Sequence, residues 1–350
     1  MKKPNVLIIY TGGTIGMVND PLTGVLRAFN FDHLYQQIPE IKRLNVEIQT
    51  ISFDKPVDSS EMNPVYWEQI AQIIFENYDK HDGFVVLHGS DTMAYTASAL
   101  SFMLQGLTKP IILTGSQLPI DEIRTDGREN VLTSIEIAAA KNEDGTAKIQ
   151  EVAIYFENNL FRGNRTTKIS ANAFKAFSSP NFPSLATAGV KINYESSLNA
   201  QSSDFMLQSV SDKKLTLFKG LDNRVALLKI FPGFNANIYK SLFDIKKIKG
   251  IILETFGAGN APTDLVFDEL IEKYIQEGGV VLNITQCNSG GVQQGLYQTS
   301  SFFQEVGVVG GGDLTTEAAI TKLMHVLGNS DDRQHTIQLM TQNIVGEMSL

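Results

Sequence analysis

The sequence is poor in the residues that staple or decorate a protein. It has one cysteine in 350 residues, Cys287. A lone thiol cannot form an internal disulfide, and no Cys/His spacing resembles a zinc site. Positive charge is also short: 29 Lys and Arg against 38 Asp and Glu leave a formal net charge of −9. Nucleic-acid affinity rests on cations meeting phosphates, so this balance argues against a nucleic-acid partner. An anionic membrane surface would likewise want a basic stripe that is absent. No apolar run approaches the ~20 residues that span a bilayer. The apolar stretch after Met1-Lys2-Lys3 is broken by Thr11-Gly12-Gly13, which does not read as a secretory leader. These features lead us to expect a soluble, cytoplasmic protein with no membrane or nucleic-acid partner. With 43% hydrophobic residues the chain can bury sizeable cores.

Apolar runs alternate with amphipathic segments through the first half. Strands are expected at Val6–Thr11, Val46–Ser52, Gly83–Ser90, Pro110–Ser116 and Val152–Phe156. Helices are expected at Pro64–Lys80, Met93–Leu107 and Asn130–Lys141. Strand and helix in turn predict a mostly parallel α/β sheet. Residues 191–214 are rich in Ser, Asn, Gln and Asp, which marks a domain edge. The expected division is a larger N-terminal α/β catalytic domain over 1–190, a linker over 191–214 and a smaller C-terminal α/β domain over 215–350. In the last, Val225–Phe231, Gly250–Thr255 and Gly279–Ile284 read as strands, and Asp264–Gln276 and Thr316–Leu327 as helices.

In open parallel sheets, ligands sit beyond the carboxyl ends of the strands. Three strands of the first half end alike, in Thr11-Gly12-Gly13-Thr14, His88-Gly89-Ser90-Asp91 and Thr114-Gly115-Ser116. Glycine allows a tight turn and a hydroxyl follows it. These are not phosphate loops. G-x-G-x-x-G fails at Thr11, and the chain contains no Gly-Lys pair. No G-x-S-x-G elbow exists. His88 stands at the right edge, but nothing marks a carboxylate that would orient it, and it reads as a packed strand-end side chain. What remains is a hydroxyl nucleophile that does not need histidine, with lysine as a candidate partner. The segment "FRGNRTTK" (161–168) offers Arg162, Arg165 and Lys168, although composition alone reads it as a solvated basic loop.

Several motifs together resemble one family. "YTGGTIGM" (10–17) and "LHGSDTMAYTASALSFM" (87–103) are similar to the two signatures of bacterial L-asparaginases. "VDSSEM" (57–62), "LTGSQLP" (113–119), "RGNRTTK" (162–168), "FGAGNAP" (256–262) and "TQCNSG" (285–290) match in order and spacing. The match is closest to the cytoplasmic, type I branch. The resemblance implies hydrolysis of L-asparagine to L-aspartate and ammonia, with no cofactor and no metal. It implies Thr14 as nucleophile and Ser90, Asp91 and Lys168 as a second catalytic cluster, with attack by the second hydroxyl, that of Ser90, as the alternative role order. Asp58, Ser59 and Ser60 align with the loop that holds the substrate's α-carboxylate and ammonium. Asn260 aligns with a residue lent to a neighbouring subunit's site. Two α/β domains, the larger first, and a homodimer or homotetramer are implied as well. Alternatives on the same scaffold are a glutaminase/asparaginase or a β-aspartyl-linkage hydrolase. From another class, a catalytically silent amino-acid-binding protein remains.

Three departures from the family pattern stand out. The family usually has threonine at the position of Ser90. Many members carry a tyrosine on the lid after the nucleophile; residues 18–28 look like that lid, with Val25 near the tyrosine position and Tyr10 or Tyr35 as substitutes from elsewhere. Some members place an arginine for a second, effector asparagine where this chain has Glu254, so effector binding is expected to be weak or absent and the rate curve hyperbolic. Cys287, near that site, reads as a small buried packing residue.

Overall fold

The computed structural model describes residues 3–19, 26–28, 36–195, 214–295, 298–330 and 332–349. The chain divides into two units, Met1–Leu217 and Phe218–Leu350.

The first unit is built on an eight-stranded sheet. Its strands are β1 (Asn5–Tyr10), β2 (Glu47–Ser52), β3 (Gly83–Leu87), β4 (Ile111–Thr114), β5 (Val152–Phe156), β6 (Asn159–Arg162), β7 (Ala186–Ala188) and β8 (Ile192–Tyr194). Their spatial order is β8-β7-β6-β5-β4-β3-β1-β2. From β2 to β5 every neighbouring pair is parallel. The remaining pairs are antiparallel. Val6–Tyr10 of β1 and Gly83–Leu87 of β3 are buried throughout, as strands covered on both faces must be. Three helices carry the crossovers: α1 (Pro64–Asn77), α2 (Met93–Met103) and α3 (Gly127–Ala139). α1 starts where Pro64 fills the first helical position and the Asn63 side chain accepts from the Val65 N–H. Val131 and Ile135 of α3 pack with Val6, Ile8, Val85 and Ile112 in one core cluster. The chain leaves β1 to one side for β2, then returns across it to β3. This reversal makes the carboxyl ends of β1 and β3 the switch point of the sheet, where such folds bind ligands.

The second unit is a four-stranded parallel sheet of β9 (Val225–Lys229), β10 (Gly250–Thr255), β11 (Val280–Thr285) and β12 (Val309–Gly310). Its helices are α4 (Leu265–Gln276), α5 (Gln298–Val306), α6 (Thr316–Asn329) and α7 (Arg333–Thr341). Alternate residues of β10 face opposite sides, as the pleat requires. Ile251 and Leu253 pack with Phe267 and Ile271 of α4, while Ile252 packs with Ala318 and Leu323 of α6. Among the described residues, no helix is long and apolar enough to cross a membrane.

Several expectations shift. The helix expected to reach Leu107 ends at Met103, because Leu104–Gln105 pair antiparallel with Thr216–Leu217. That pairing brings Thr216 and Leu217, expected in the second domain, into the first unit. Of the expected linker, 196–213 lies outside the described residues, while Ile192–Tyr194 is a sheet strand paired with β7. Within the expected lid, Met17–Asn19 pairs antiparallel with Leu26–Ala28, and Val25, like Tyr35, lies outside the described residues. Cys287 is exposed rather than buried. It sits in the turn after β11, where its N–H donates to the Thr285 hydroxyl at 3.0 Å.

Candidate active site

Two consecutive glycines let the backbone leave β1 in a way no other residue permits. Gly12 and Gly13 have φ of +132° and +89°, where side chains are strained. Each also has backbone where a side chain would go: Val57 against Gly12, and Gly89 against Gly13. The glycines therefore draw together three loops, those after β1, β2 and β3. Val57 N–H donates to the Thr11 carbonyl at 2.8 Å, and Thr11 N–H to the Leu87 carbonyl at 3.1 Å.

Thr14 opens a single 3₁₀ turn, Thr14–Gly16. Tyr10 underlies that turn, its hydroxyl donating to the Gly16 carbonyl at 3.2 Å. Burial pushes the Tyr10 phenol up to about 12, so it acts as a neutral donor. Tyr10 is 3% exposed and does not line the cavity that Thr14 faces.

On the second loop, Asp58 caps the 3₁₀ turn Ser59–Glu61. It accepts from the Ser60 N–H and from the Ser60 hydroxyl, both at 2.8 Å. These donors hold its carboxyl below the ordinary carboxylate range. On the third loop, the Thr92 hydroxyl donates to the Ser59 carbonyl at 2.6 Å.

Lys168 arrives from Thr167–Lys168, a two-residue strand paired with Phe177–Ser178. Its Nζ lies 2.8 Å from Ser90 Oγ and 2.6 Å from Asp91 Oδ1. Ser90 Oγ in turn donates to Gln117 Oε1 at 2.9 Å. Thr14, Asp58, Ser59, Ser90, Asp91, Gln117 and Lys168, with Gly13, Gly89 and Ala171, line one cavity of about 150 Å³. Ser60 is not on that wall; its contact is with Asp58. Asn260 lies in the second unit, in a turn closed by reciprocal backbone hydrogen bonds with Phe256 at 2.9 Å.

His88 is fully buried. Its Nδ1 donates to the Gly89 carbonyl at 2.6 Å, and its Nε2 accepts from Thr96 Oγ1 at 2.9 Å, which accepts from Trp67 Nε1 at 3.0 Å. Burial drives it down to about 4, so it is neutral and structural, as a packed strand-end side chain should be. The basic segment is not a solvated loop. Arg165 is 2% exposed and donates to the Asn181 carbonyl at 3.0 Å; Arg162 pairs with Glu151 at 2.6 Å and lies over the Phe182 ring. In the second unit, Glu254 accepts from the Thr316 hydroxyl at 2.6 Å and lies 3.2 Å from Lys229 Nζ.

Sequence reasoning passed over Gln117 and Ala171. The first follows Ser116 at the end of β4, in a loop already singled out for its glycine and hydroxyl. No group of His, Cys, Asp and Glu among the described residues is arranged to hold a metal ion.

A hydroxyl, a lysine and carboxylates thus line a small polar cavity at a sheet switch point, an arrangement of the kind found in enzymes that act on small polar molecules. The family models narrow this. Residues 5–200 match the model "Asparaginase, N-terminal", and residues 224–340 match the "Glutaminase/Asparaginase C-terminal domain". The chain belongs to the asparaginase family. It is 40% identical over 358 residues to L-asparaginase 1 of Escherichia coli K12, covering 100% of this chain and 99% of that one. It is 36% identical to the mouse 60 kDa lysophospholipase, over 99% of this chain and 62% of that protein. The crystal structure of L-asparaginase I from Vibrio cholerae superposes with a TM-score of 0.87 at 35% identity, covering 100% of both chains.

Proposed function

We propose that this protein hydrolyses L-asparagine to L-aspartate and ammonia, with Thr14 as nucleophile. The observation that carries the reading is the sharing of one cavity by Thr14, Ser90, Asp91 and Lys168. An amide is a poor electrophile and ammonia a poor leaving group. Attack by the Thr14 hydroxyl on the side-chain amide gives a tetrahedral oxyanion. Backbone N–H groups of the Gly89–Asp91 turn stabilise it, and one such donor is commonly worth ~3 kcal/mol. Collapse expels ammonia, which takes up the hydroxyl proton, and leaves a β-aspartyl ester on Thr14. Water cleaves the ester, releasing aspartate and restoring the hydroxyl. Ser59 and its neighbouring N–H groups supply donors for the α-carboxylate. Asp58 and Asp91 supply acceptors for the ammonium, and Asp91 also holds Lys168. The hydroxyl, carboxylate, amide and ammonium lining suits a small zwitterion. No cofactor enters these steps.

Self-association into a homodimer or homotetramer accompanies this reading. Exposed Phe231, Ile238 and Leu265 in the second unit support it, Asn260 is the residue assigned to a neighbouring subunit's site, and light scattering tests it. A cytoplasmic setting fits the single, exposed thiol of Cys287.

The test is ammonia release from asparagine, glutamine and β-aspartyl dipeptides by the wild type and by Thr14→Ala. Turnover of asparagine that vanishes in Thr14→Ala is expected. Full activity of Thr14→Ala overturns the nucleophile. Turnover of another amide with none of asparagine transfers the reaction to the glutaminase or β-aspartyl reading, and silence towards all three leaves a binding protein.

A further inference from the structure

Ser90 has a single heavy substituent on Cβ, so nothing in its own covalent structure selects one χ1 rotamer as a β-branched side chain would. Its hydroxyl proton is also free to rotate. Yet the surroundings leave it one arrangement. The Ala173 carbonyl can only accept, and Gln117 Nε2 donates to it at 3.0 Å. The amide is thereby oriented, with Oε1 towards Ser90 at 2.9 Å. An amide oxygen can only accept, so Ser90 must donate its proton there. Lys168 Nζ, 2.8 Å away on another side, is then the donor to Ser90 Oγ. The polarity of the whole chain, from Lys168 through Ser90 and Gln117 to Ala173, follows from one backbone carbonyl.

Gln117 is itself pinned at the other end. Its N–H donates to both carboxylate oxygens of Asp126, at 3.0 and 3.1 Å. Asp126 is held by Asn130, whose Nδ2 also donates to the Gly115 carbonyl at 2.9 Å.

We infer that Gln117 is a positioning residue, which fixes the rotamer of Ser90 and turns its proton away from Lys168, so that Ser90 meets the cavity as a hydrogen-bond acceptor. This rests on the proposed hydrolysis for its catalytic meaning. With one lone pair occupied by Lys168, one acceptor site on Oγ remains for a donor in the cavity, the Thr14 hydroxyl or the hydrolytic water. The same polarity removes Ser90 from contention as the attacking group, since its proton faces an amide oxygen that is no base.

The experiment is a double-mutant cycle of Gln117→Met with Ser90→Thr, read as kcat and KM on the amide that the wild type turns over. Gln117→Met is expected to lower kcat about tenfold, the worth of one net hydrogen bond, with little change in KM. In the Ser90→Thr background, where the added methyl restricts χ1, the same change is expected to lower kcat by less than about threefold. Equal losses in both backgrounds, or a rise in KM alone, overturn the inference. Should Gln117→Met not fold, Gln117→Asn, too short to bridge Ser90 and Ala173, is read in its place. The contact is also read without turnover, by urea unfolding of Ser90→Ala, Gln117→Met and their combination. Non-additive midpoints are expected, and additive ones overturn the contact. Failure of the asparaginase reading would show instead as no amide turnover by wild type, with the unfolding cycle still coupled.

Discussion

A side chain on Gly13 would have to occupy the place of the Gly89 backbone. Built there, its Cβ would come 2.5 Å from the Gly89 α-carbon, closer than any real contact. The loop bearing Thr14 and the loop bearing Ser90 and Asp91 therefore meet backbone to backbone, and the separation of their hydroxyls depends on this absence of side chains.

Gly13→Ala should accordingly damage both activity and stability. A positive φ on alanine and the collision with Gly89 together destabilise by about 2–4 kcal/mol. A displacement of about 1 Å between Thr14 and the Ser90 loop lowers kcat/KM by about 100-fold. Gly145 has φ of +86° and nothing within 4 Å of a built Cβ, which makes Gly145→Ala the control for backbone strain alone. It is expected to melt slightly lower with unchanged kcat/KM. Ammonia-release kinetics and thermal melting of both variants decide the matter. If Gly13→Ala keeps wild-type kcat/KM, the close approach does not set the geometry of the site.

The buried His88 gives a pH dependence whose sign follows from its environment. Burial lowers its pKa from the ordinary 6.5 to about 4. The unfolded chain therefore binds a proton that the folded one refuses between those values, so stability is full above pH 6.5 and falls as the pH drops towards 4. A shift of that size amounts to about 3 kcal/mol. His325 in the second unit is likewise driven to about 4 by burial and contributes in the same window. His88→Gln is expected to melt lower than wild type at pH 7.5, because the amide does not fill the place of the fully buried ring. It should also show a shallower loss of stability between pH 6.5 and 4.5. Parallel pH profiles for the two proteins would mean that His88 is not the group that takes up the proton.

The parallel core of each unit was legible because buried strands carry unbroken apolar runs. Val152–Phe156 matched residue for residue, and β1, β3 and β4 fell within a few residues of their ends. The antiparallel edge was not. β5 and β6 are joined through Glu157 and Asn158, at φ of 44° and 65°. Such a turn normally advertises itself with glycine, and here the Glu157 N–H is steadied instead by Asn130 Oδ1 at 3.2 Å. β7 and β8 are three residues each, too short for any period to emerge. The burial of Arg162 and Arg165 was hidden for another reason. Composition reports charge, but not that Glu151 pairs with Arg162 or that the Phe182 ring lies against both guanidinium groups. At the site, the hydroxyls and Lys168 were found through motifs and family resemblance. Gln117 lies within the matched stretch LTGSQLP, but nothing in that stretch assigned it a role, and its place is apparent only once Ala173 and Ser90 are seen on either side of it.

The second unit holds an ion pair removed from solvent on both sides. Lys322 Nζ lies 2.7 Å from Glu347 Oε1, and both side chains are fully buried. Lys322 also donates to the Met340 carbonyl at 3.2 Å, while Glu347 accepts from the N–H groups of Ile344 at 2.9 Å and Val345 at 2.7 Å. α6 is thus tied to the segment that follows α7. Burial lowers the Lys322 pKa and Glu347 opposes that shift, so neither charge is tolerable without the other. Lys322→Met, which nearly preserves shape, leaves the carboxylate uncompensated and should destabilise by about 3–5 kcal/mol. Adding Glu347→Gln removes the stranded charge and retains part of the backbone hydrogen bonding, so the double variant should be more stable than Lys322→Met alone. Equilibrium unfolding in urea measures both. A Lys322→Met midpoint equal to wild type, or a double variant weaker than the single one, would show that the pair is not what holds the segment to α6.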